Sequence, residues 1–408
     1  MEVNRPPKNA RDHVGDLRGA SRLAIDATRG VTELVEAVHT AIAGGPVSLG
    51  RPFTRPVEFT SRLVYGSIRC VMQLVGNTLN TALAQLAPLL GPGVPSVERE
   101  AVLAALNGVL GDYLSETHNP LAIEMQLRNG GEPLELTSSA LRGALPRATG
   151  KLVVLIHGLC LTERRWTRRG HDHGTALAHD LGYTPIYVRY NTGLHISTNG
   201  RLLATQLEQL AHAWPVPIEE IVLLGHSMGG LLARSACRAS EVAGYTWRSR
   251  LRSLITLGSP HHGAPLERGV HGIDQILGIS NYSAPFRRLG RIRSAGITDL
   301  RYGNVLDENW HSRDRFAQPE QQRRPLSLPE GVNCYAIAGT LAITAAPRPR
   351  GDGLVPVDSA LGRHATDALT LRFPASHCAI IPATSHLDLL SSHAVYNTLR
   401  SWLLSPRA

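Results

Sequence analysis

The sequence predicts an α/β protein: a mostly parallel central sheet with helices on both faces, preceded by a mainly α-helical region. Two observations carry this. From Lys151 onward, short apolar runs alternate with helical stretches, which is the rhythm of a parallel sheet built from strand–helix–strand units. Before that point the apolar residues instead recur near helical spacing, in blocks separated by glycine and proline.

Taken in order, residues 11–44 carry Val14, Leu17, Leu23, Ile25, Val31, Leu34, Val35 and Val38 near helical spacing, and "GGPVSLGRPFTRP" ends the block. Residues 57–90 form a second helical stretch, closed by "GPGVP". Ser96 suits the N-cap of a third helix, with Glu98 and Glu100 in its first turn and an end near Glu116. "LAIEMQLRNGGEPLEL" then alternates around Asn129-Gly130-Gly131, a hairpin signal. The expected strands are "KLVVLIH", "TPIYVRY", "EIVLLG", "LRSLITLGSP", "NCYAIAGT" and a last one near residues 378–382. Helices are expected over about 197–214, 228–240 and 387–404. The division expected is a mainly helical region 1–145 ending in the short hairpin, then an α/β domain 146–408. A lid-like insertion lies between two of its strands, at about 264–332, since long insertions in compact domains tend to be lids or binding loops.

Composition excludes several classes. The chain has 408 residues, 43% hydrophobic and 18% charged, the balance of a globular protein able to bury a core without cross-links. Its five cysteines are widely spaced, with no C-x-x-C, which argues against a disulfide framework or a zinc knuckle and fits a reducing compartment. The N-terminus has no apolar signal core, and the apolar stretch 71–90 is broken by Gln73, Asn77, Asn80 and Gln85. Cytoplasmic residence is the expectation, with peripheral membrane contact left open. The net charge is +9, almost all of it from dispersed arginine. The nearest clusters, Arg164/Arg165/Arg168/Arg169 and Arg287/Arg288/Arg291/Arg293, lack interleaved stacking aromatics, so nucleic acid is not the expected partner.

The chemistry concentrates in "IVLLGHSMGGLLARSA". Gly225-His226-Ser227-Met228-Gly229 fits G-x-S-x-G, a short pattern that chance also produces, but here a strand precedes it and a helix follows. In that setting a sharp turn lifts the serine hydroxyl above the carboxyl end of the sheet. The plain alternative is a glycine-rich turn with an idle serine. A serine hydroxyl needs a base. His386, in "IPATSHLDLL", follows the last strand; His377 is the rival, and His226 should point away from its neighbour. The base needs an acid, and Asp352 in "RGDGLVPVDSA" follows the preceding strand, with Asp358 and Asp367 as rivals. The chain order Ser227, Asp352, His386 is the one this setting calls for. Donors for a developing oxyanion are expected at the backbone N–H of Met228 and of Leu159, the latter held by Gly158 after His157 in "LIHGLCLTE". Gly225, His226 and Gly229 are expected to support the turn.

Together, "VVLIHGL", "GHSMGGLLAR", "LITLGSPHHGAP", "GDGLVPVDSA" and "SHLDLL" resemble the ordered motifs of α/β-hydrolase serine lipases and esterases. The nearest likeness is to bacterial true lipases and to GPI-inositol-deacylase-like lipases, over about 150–404. The resemblance implies an α/β-hydrolase fold and a serine hydrolase of carboxylic esters, of lipid or acyl-chain type, working through an acyl-enzyme on Ser227, Asp352 and His386. Acyltransferase or thioesterase chemistry on the same triad stays open, as does a non-catalytic lipid- or partner-binding module. The resemblance makes His261 and His262 structural. It also implies that Asp388, two residues after His386, would be a calcium ligand in some relatives, but Ser392 at the follow-on position is a poor partner for a hard cation. His171-Asp172-His173 reads as a solvated loop, because adjacent ligands rarely converge on one ion. No metal or cofactor is expected. The substrate is expected to be an ester or lipid, and neither its acyl length nor the oligomeric state is legible.

Overall fold

The computed structural model describes residues 97–263, 294–311, 326–343 and 351–405. The helical stretches expected at 11–44 and 57–90, Ser96, the Arg287 cluster and most of the expected insertion lie outside these residues.

The elements run α1 (Val97–Glu116), β1 (Gln126–Asn129), β2 (Glu132–Pro133), α2 (Ser138–Ala144), β3 (Lys151–Ile156), α3 (His173–Leu181), β4 (Thr184–Arg189) and α4 (Ile196–Ala213). They continue with β5 (Glu220–His226), α5 (Met228–Ala243), β6 (Leu251–Leu257), α6 (Ala295–Tyr302), β7 (Asn333–Gly339), α7 (Val357–Ala360), β8 (Cys378–Ile381) and α8 (His393–Leu404). The eight strands form one sheet in the order β2-β1-β4-β3-β5-β6-β7-β8. Pairing is parallel from β4 through β8, and β1 joins β4 antiparallel. The hairpin expected around Gly130-Gly131 forms with Asn129 opposite Glu132.

Strand alternation splits the core into two layers. Leu152, Val154, Ile156, Ile186, Val188 and Leu223 share one layer with apolar residues of α1, α4 and α5. Val153, Leu155, Val222, Leu224, Ile255 and Leu257 share the other with Leu177 of α3 and Val395, Leu399 and Leu403 of α8. Every residue of β5 is buried, as a central parallel strand covered on both faces requires. Val102, Leu106, Val109 and Leu114 of α1 belong to the same apolar cluster as β3 and β5. This helix is apolar around most of its circumference, the pattern of one packed on several sides.

The short helices α2 and α7 are not among those expected, and α3, α6 and α8 also differ from expectation. Helix α3 has a signal that the strand pattern overshadows: Asp172 accepts from Thr175 N–H at its start, and Gly182 closes it. Helix α6 lies within the stretch expected to be lid-like. The last helix begins at His393 rather than near 387, because residues Asp388–Leu390 form a tight 3₁₀ turn and Ser392 caps α8.

Candidate active site

Ser227 stands between β5 and α5 with φ 55° and ψ −124°. A side chain disfavours positive φ, so this backbone is strained by about 1–3 kcal/mol. The turn is held by Ser227 N–H donating to Leu257 O at 2.9 Å and Gly230 N–H to Ser227 O at 3.1 Å. It is as tight as it is because of the glycines. A Cβ on Gly225 would run into the backbone of Gly229 and Gly230, and one on Gly229 into the Ile156 and His157 carbonyls. Gly158 also lies close: its Cβ would sit 2.9 Å from the Cβ of Ser227.

His386 leaves the turn after β8 and meets Asp352, from the loop after β7, with Nδ1 2.7 Å from Oδ2. Both are buried. The other carboxylate oxygen accepts the N–H groups of Val355 at 2.8 Å and Leu354 at 3.0 Å. Burial alone would raise the pKa of Asp352. The adjacent His386 and the two N–H donors outweigh burial and hold it below the usual aspartate value. An ionised Asp352 requires the proton of His386 on Nδ1, which leaves Nε2 as the basic nitrogen. A second tie joins the loops, from His386 N–H to Asp352 O at 3.0 Å.

The His226 ring lies against the loop that carries His386. Its Nε2 lies 3.0 Å from His386 O, and the two rings are 4.7 Å apart. Burial, with the His386 ring adding to it, pushes its pKa down to about 3, so the ring is neutral and donates from Nε2. His157 is also fully buried and pushed down to about 4, and it stacks on Tyr190 at 4.5 Å. Tyr190 O–H donates to His157 O at 2.8 Å, which fixes the end of β3 where the next loop starts.

That loop carries Leu159. Among the described residues, neither the Leu159 nor the Met228 N–H has a hydrogen-bond acceptor. Cys160 N–H is held by Thr192 Oγ1 at 3.2 Å, and its φ is 57°. Helix α1 backs the loop so closely that a Cβ on Gly108 would overlap Cys160 Sγ. Ser227, His386, Gly158, Leu159 and His226 line one pocket, whose remaining walls are Leu161, Pro260, Leu300, Leu354 and Val355. Leu300 belongs to α6. This helix is pinned to the body by Ser294 Oγ–H to Gly108 O at 2.7 Å, by Ala295 N–H to Asp112 Oδ2 at 2.9 Å, and by Asp299 Oδ2 accepting from His195 and Ile196, each at 2.9 Å.

The rivals lie elsewhere. His377 turns its Nδ1 to Cys334 O and packs on Tyr335. Asp358 and Asp367 are exposed beside Arg363 and Arg372. His261 sits between Thr256 and Arg234, and His262 N–H reaches Ser359 Oγ. Asp388 is taken by Arg168, Arg169 and Ser385. His171 and His173 bond to each other rather than converging on an ion site. Among the described residues no group of three or more His, Cys, Asp or Glu is placed to hold a metal ion. Sequence reasoning misses Gly258. Its Cβ would meet Asp352 Oδ2 at 2.9 Å and His386 Nδ1 at 3.2 Å, so the pair packs directly on that backbone. The "LGSP" segment is its only signal.

A parallel sheet flanked by helices on both faces, with a strained serine turn at the carboxyl end of a central strand, defines an α/β-hydrolase fold. Residues 147–329 match the PGAP1-like alpha/beta domain family. Among solved structures, the mature lipase BlEst2 of Bacillus licheniformis is 17% identical, with 68% of this chain and 97% of that one covered and a TM-score of 0.41. The RedJ thioesterase of Streptomyces coelicolor is 17% identical over 63% of this chain and 91% of its own, at TM-score 0.34. The naproxen esterase of Bacillus subtilis is 15% identical over 62% and 82%, at TM-score 0.35. No curated protein matches the chain. No described helix is long and apolar enough to cross a membrane.

Proposed function

We propose that this chain is a serine hydrolase that cleaves carboxylic esters with an apolar acyl group. The observation that carries the reading is the His386–Asp352 pair at 2.7 Å, opening onto the pocket that Ser227 also lines. Ser227 Oγ attacks the ester carbonyl carbon as His386 Nε2 takes its proton. The carbonyl oxygen becomes an oxyanion and is stabilised by the N–H groups of Leu159 and Met228. His386 then gives its proton to the leaving alcohol, and the acyl group stays on Ser227 as an ester. Water loses a proton to the same nitrogen and attacks the acyl carbon; the bond to Ser227 Oγ then breaks, His386 returns the proton to that oxygen, and the carboxylic acid leaves. Asp352 keeps its charge throughout and holds the imidazole in the required tautomer.

The walls support an acyl substituent without charge, since Leu159, Leu161, Pro260, Leu300, Leu354 and Val355 present only apolar side chains. Attack on a thioester uses the same groups and differs in the thiol that leaves on acylation, whereas transfer to another alcohol differs in what enters after acylation. The test is hydrolysis of p-nitrophenyl esters of increasing acyl length by wild type and Ser227→Ala. Turnover abolished by the substitution supports the reading. No turnover on any ester, together with no labelling of Ser227 by a fluorophosphonate, overturns it. Labelling without hydrolysis directs the search to acyl acceptors other than water.

A further inference from the structure

We propose that Arg168 and His173 are positioning residues for the base, clamping the turn that carries His386 through Asp388 and Leu389. The proposal rests on the reading of His386 as the base. The turn is Ser385–Ser391. Its local bonds are short-range: Asp388 N–H to Ser385 O at 3.0 Å, Leu389 N–H to Ser385 O at 3.2 Å, and Ser385 Oγ–H to Asp388 Oδ2 at 2.6 Å. Such bonds shape a turn but do not locate it over the sheet.

The bonds of His386 to Asp352 and His226 hold one side of this turn; a second anchor, beyond His386 itself, comes from the segment that continues the Leu159 loop. Arg168 and His171 exchange backbone hydrogen bonds at 2.9 Å each way. The two residues between them, Arg169 and Gly170, both have positive φ, 49° and 76°. This is a tight two-residue turn of the primed kind. It delivers Arg168 and Arg169 side by side onto Asp388 Oδ1, at 2.9 and 3.0 Å. Two guanidinium groups on one oxygen, with Ser385 on the other, satisfy the carboxylate and fix its direction.

The second contact is buried. His173 has no solvent exposure, and its Nε2 lies 2.9 Å from Leu389 O. A carbonyl only accepts, so Nε2 carries the proton and Nδ1 is bare. His171 Nε2 approaches that bare nitrogen at 2.8 Å and donates to it, which locks the tautomer. The Leu389 side chain in turn packs where it would meet a Cβ on Gly258, beside the His386–Asp352 pair. The buried Trp166 ring meets both the His173 and His226 rings at steep angles, with centroids 6.4 and 6.5 Å away. One stretch of chain thus ties the Leu159 loop at one end to the His386 turn at the other.

The experiment compares Arg168→Met/Arg169→Met, Arg168→Lys, His173→Phe and His173→Gln with wild type in the full chain, with Arg372→Ala as an exposed ion-pair control. Expected results are kcat for p-nitrophenyl butyrate reduced about tenfold or more in the Met and Phe variants, with KM within about twofold. The rate of fluorophosphonate labelling of Ser227 falls in parallel, and Lys and Gln restore part of it. The far-downfield proton resonance of the His386 Nδ1–H···Asp352 bond broadens or is lost in the same variants. Met and Phe variants with wild-type kcat and a wild-type downfield resonance overturn the proposal. Loss that merely follows a fall in melting temperature, without rescue by Lys or Gln, overturns it as well. If wild type neither hydrolyses an ester nor labels, the functional reading fails; the downfield resonance still decides the clamp.

Discussion

The Nε2 of His226 lies 3.0 Å from the carbonyl oxygen of His386, so the residue before the proposed nucleophile holds the backbone of the proposed base. Both ends of the proposed proton transfer are therefore referred to one rigid point at the tip of β5. His226→Phe keeps the ring volume but removes the donor and leaves a buried carbonyl unsatisfied. We expect kcat to fall about tenfold with KM little changed, measured by steady-state ester hydrolysis. An unchanged kcat would show that the loop carrying His386 is located without this bond.

The backbone at Ser227 separates strain from chemistry. Ser227→Ala and Ser227→Gly both lack the hydroxyl, and both should lose turnover. They differ at φ 55°, where glycine is at ease and alanine is not. Ser227→Gly should be the more stable by about 1 kcal/mol, read from denaturant midpoints. Equal midpoints would mean that the turn is not strained in solution.

Asp352→Asn should lower kcat by about 10⁴-fold. Its Oδ1 must remain an acceptor for Val355 and Leu354, so the amide nitrogen is turned toward His386 and selects the wrong tautomer. A single-turnover acylation assay checks this, and a loss of less than tenfold would remove Asp352 from the acid's role.

Stability should fall steeply on acidification. His157 and His173 are pushed down to about 4, and His226 to about 3, in each case first of all by burial. Unfolded histidine binds its proton near pH 6.5. Above that value all three are neutral in both states and the contribution is complete. As pH falls, the unfolded chain takes up protons that the folded chain refuses, so stability is lost down to about pH 3–4. The slope is about 1.4 kcal/mol per pH unit for each histidine. Urea melts between pH 7 and 4.5 measure it, and a flat profile would mean that these rings are solvated.

Gly108→Ala should disturb the Leu159 loop, because the added methyl overlaps Cys160 Sγ. Overpacking of this kind costs about 1–3 kcal/mol. Cys160→Gly removes the sulfur and suits the positive φ at that position, so the double variant should recover much of the stability and activity lost. Thermal melts with parallel ester assays test this, and strictly additive losses would count against the contact.

Much of the candidate site is legible because its signals are local. A buried parallel strand such as β5 needs an unbroken apolar run, and a serine turn needs glycines within two residues of it. The candidate acid and base are placed by the loops that follow β7 and β8. What escapes depends on contacts distant in sequence. Arg168 and Arg169 read as a surface charge cluster, since nothing near them announces Asp388. Nothing near His226 announces its partner either, because His386 O lies far along the chain. Helix α1 has no polar face from which its neighbours could be read. Helix α8 starts later than the apolar spacing suggests, because the tight turn at Asp388–Leu390 follows the same spacing as a helical turn.

The contact between Gly108 and Cys160 has a consequence for how related sequences are compared. The two positions share one volume, so neither is free to vary alone: a larger residue at one calls for a smaller residue at the other. They are best treated as a single covarying column. A relative that breaks the pairing has moved the helix, and with it the loop on which ester cleavage would depend.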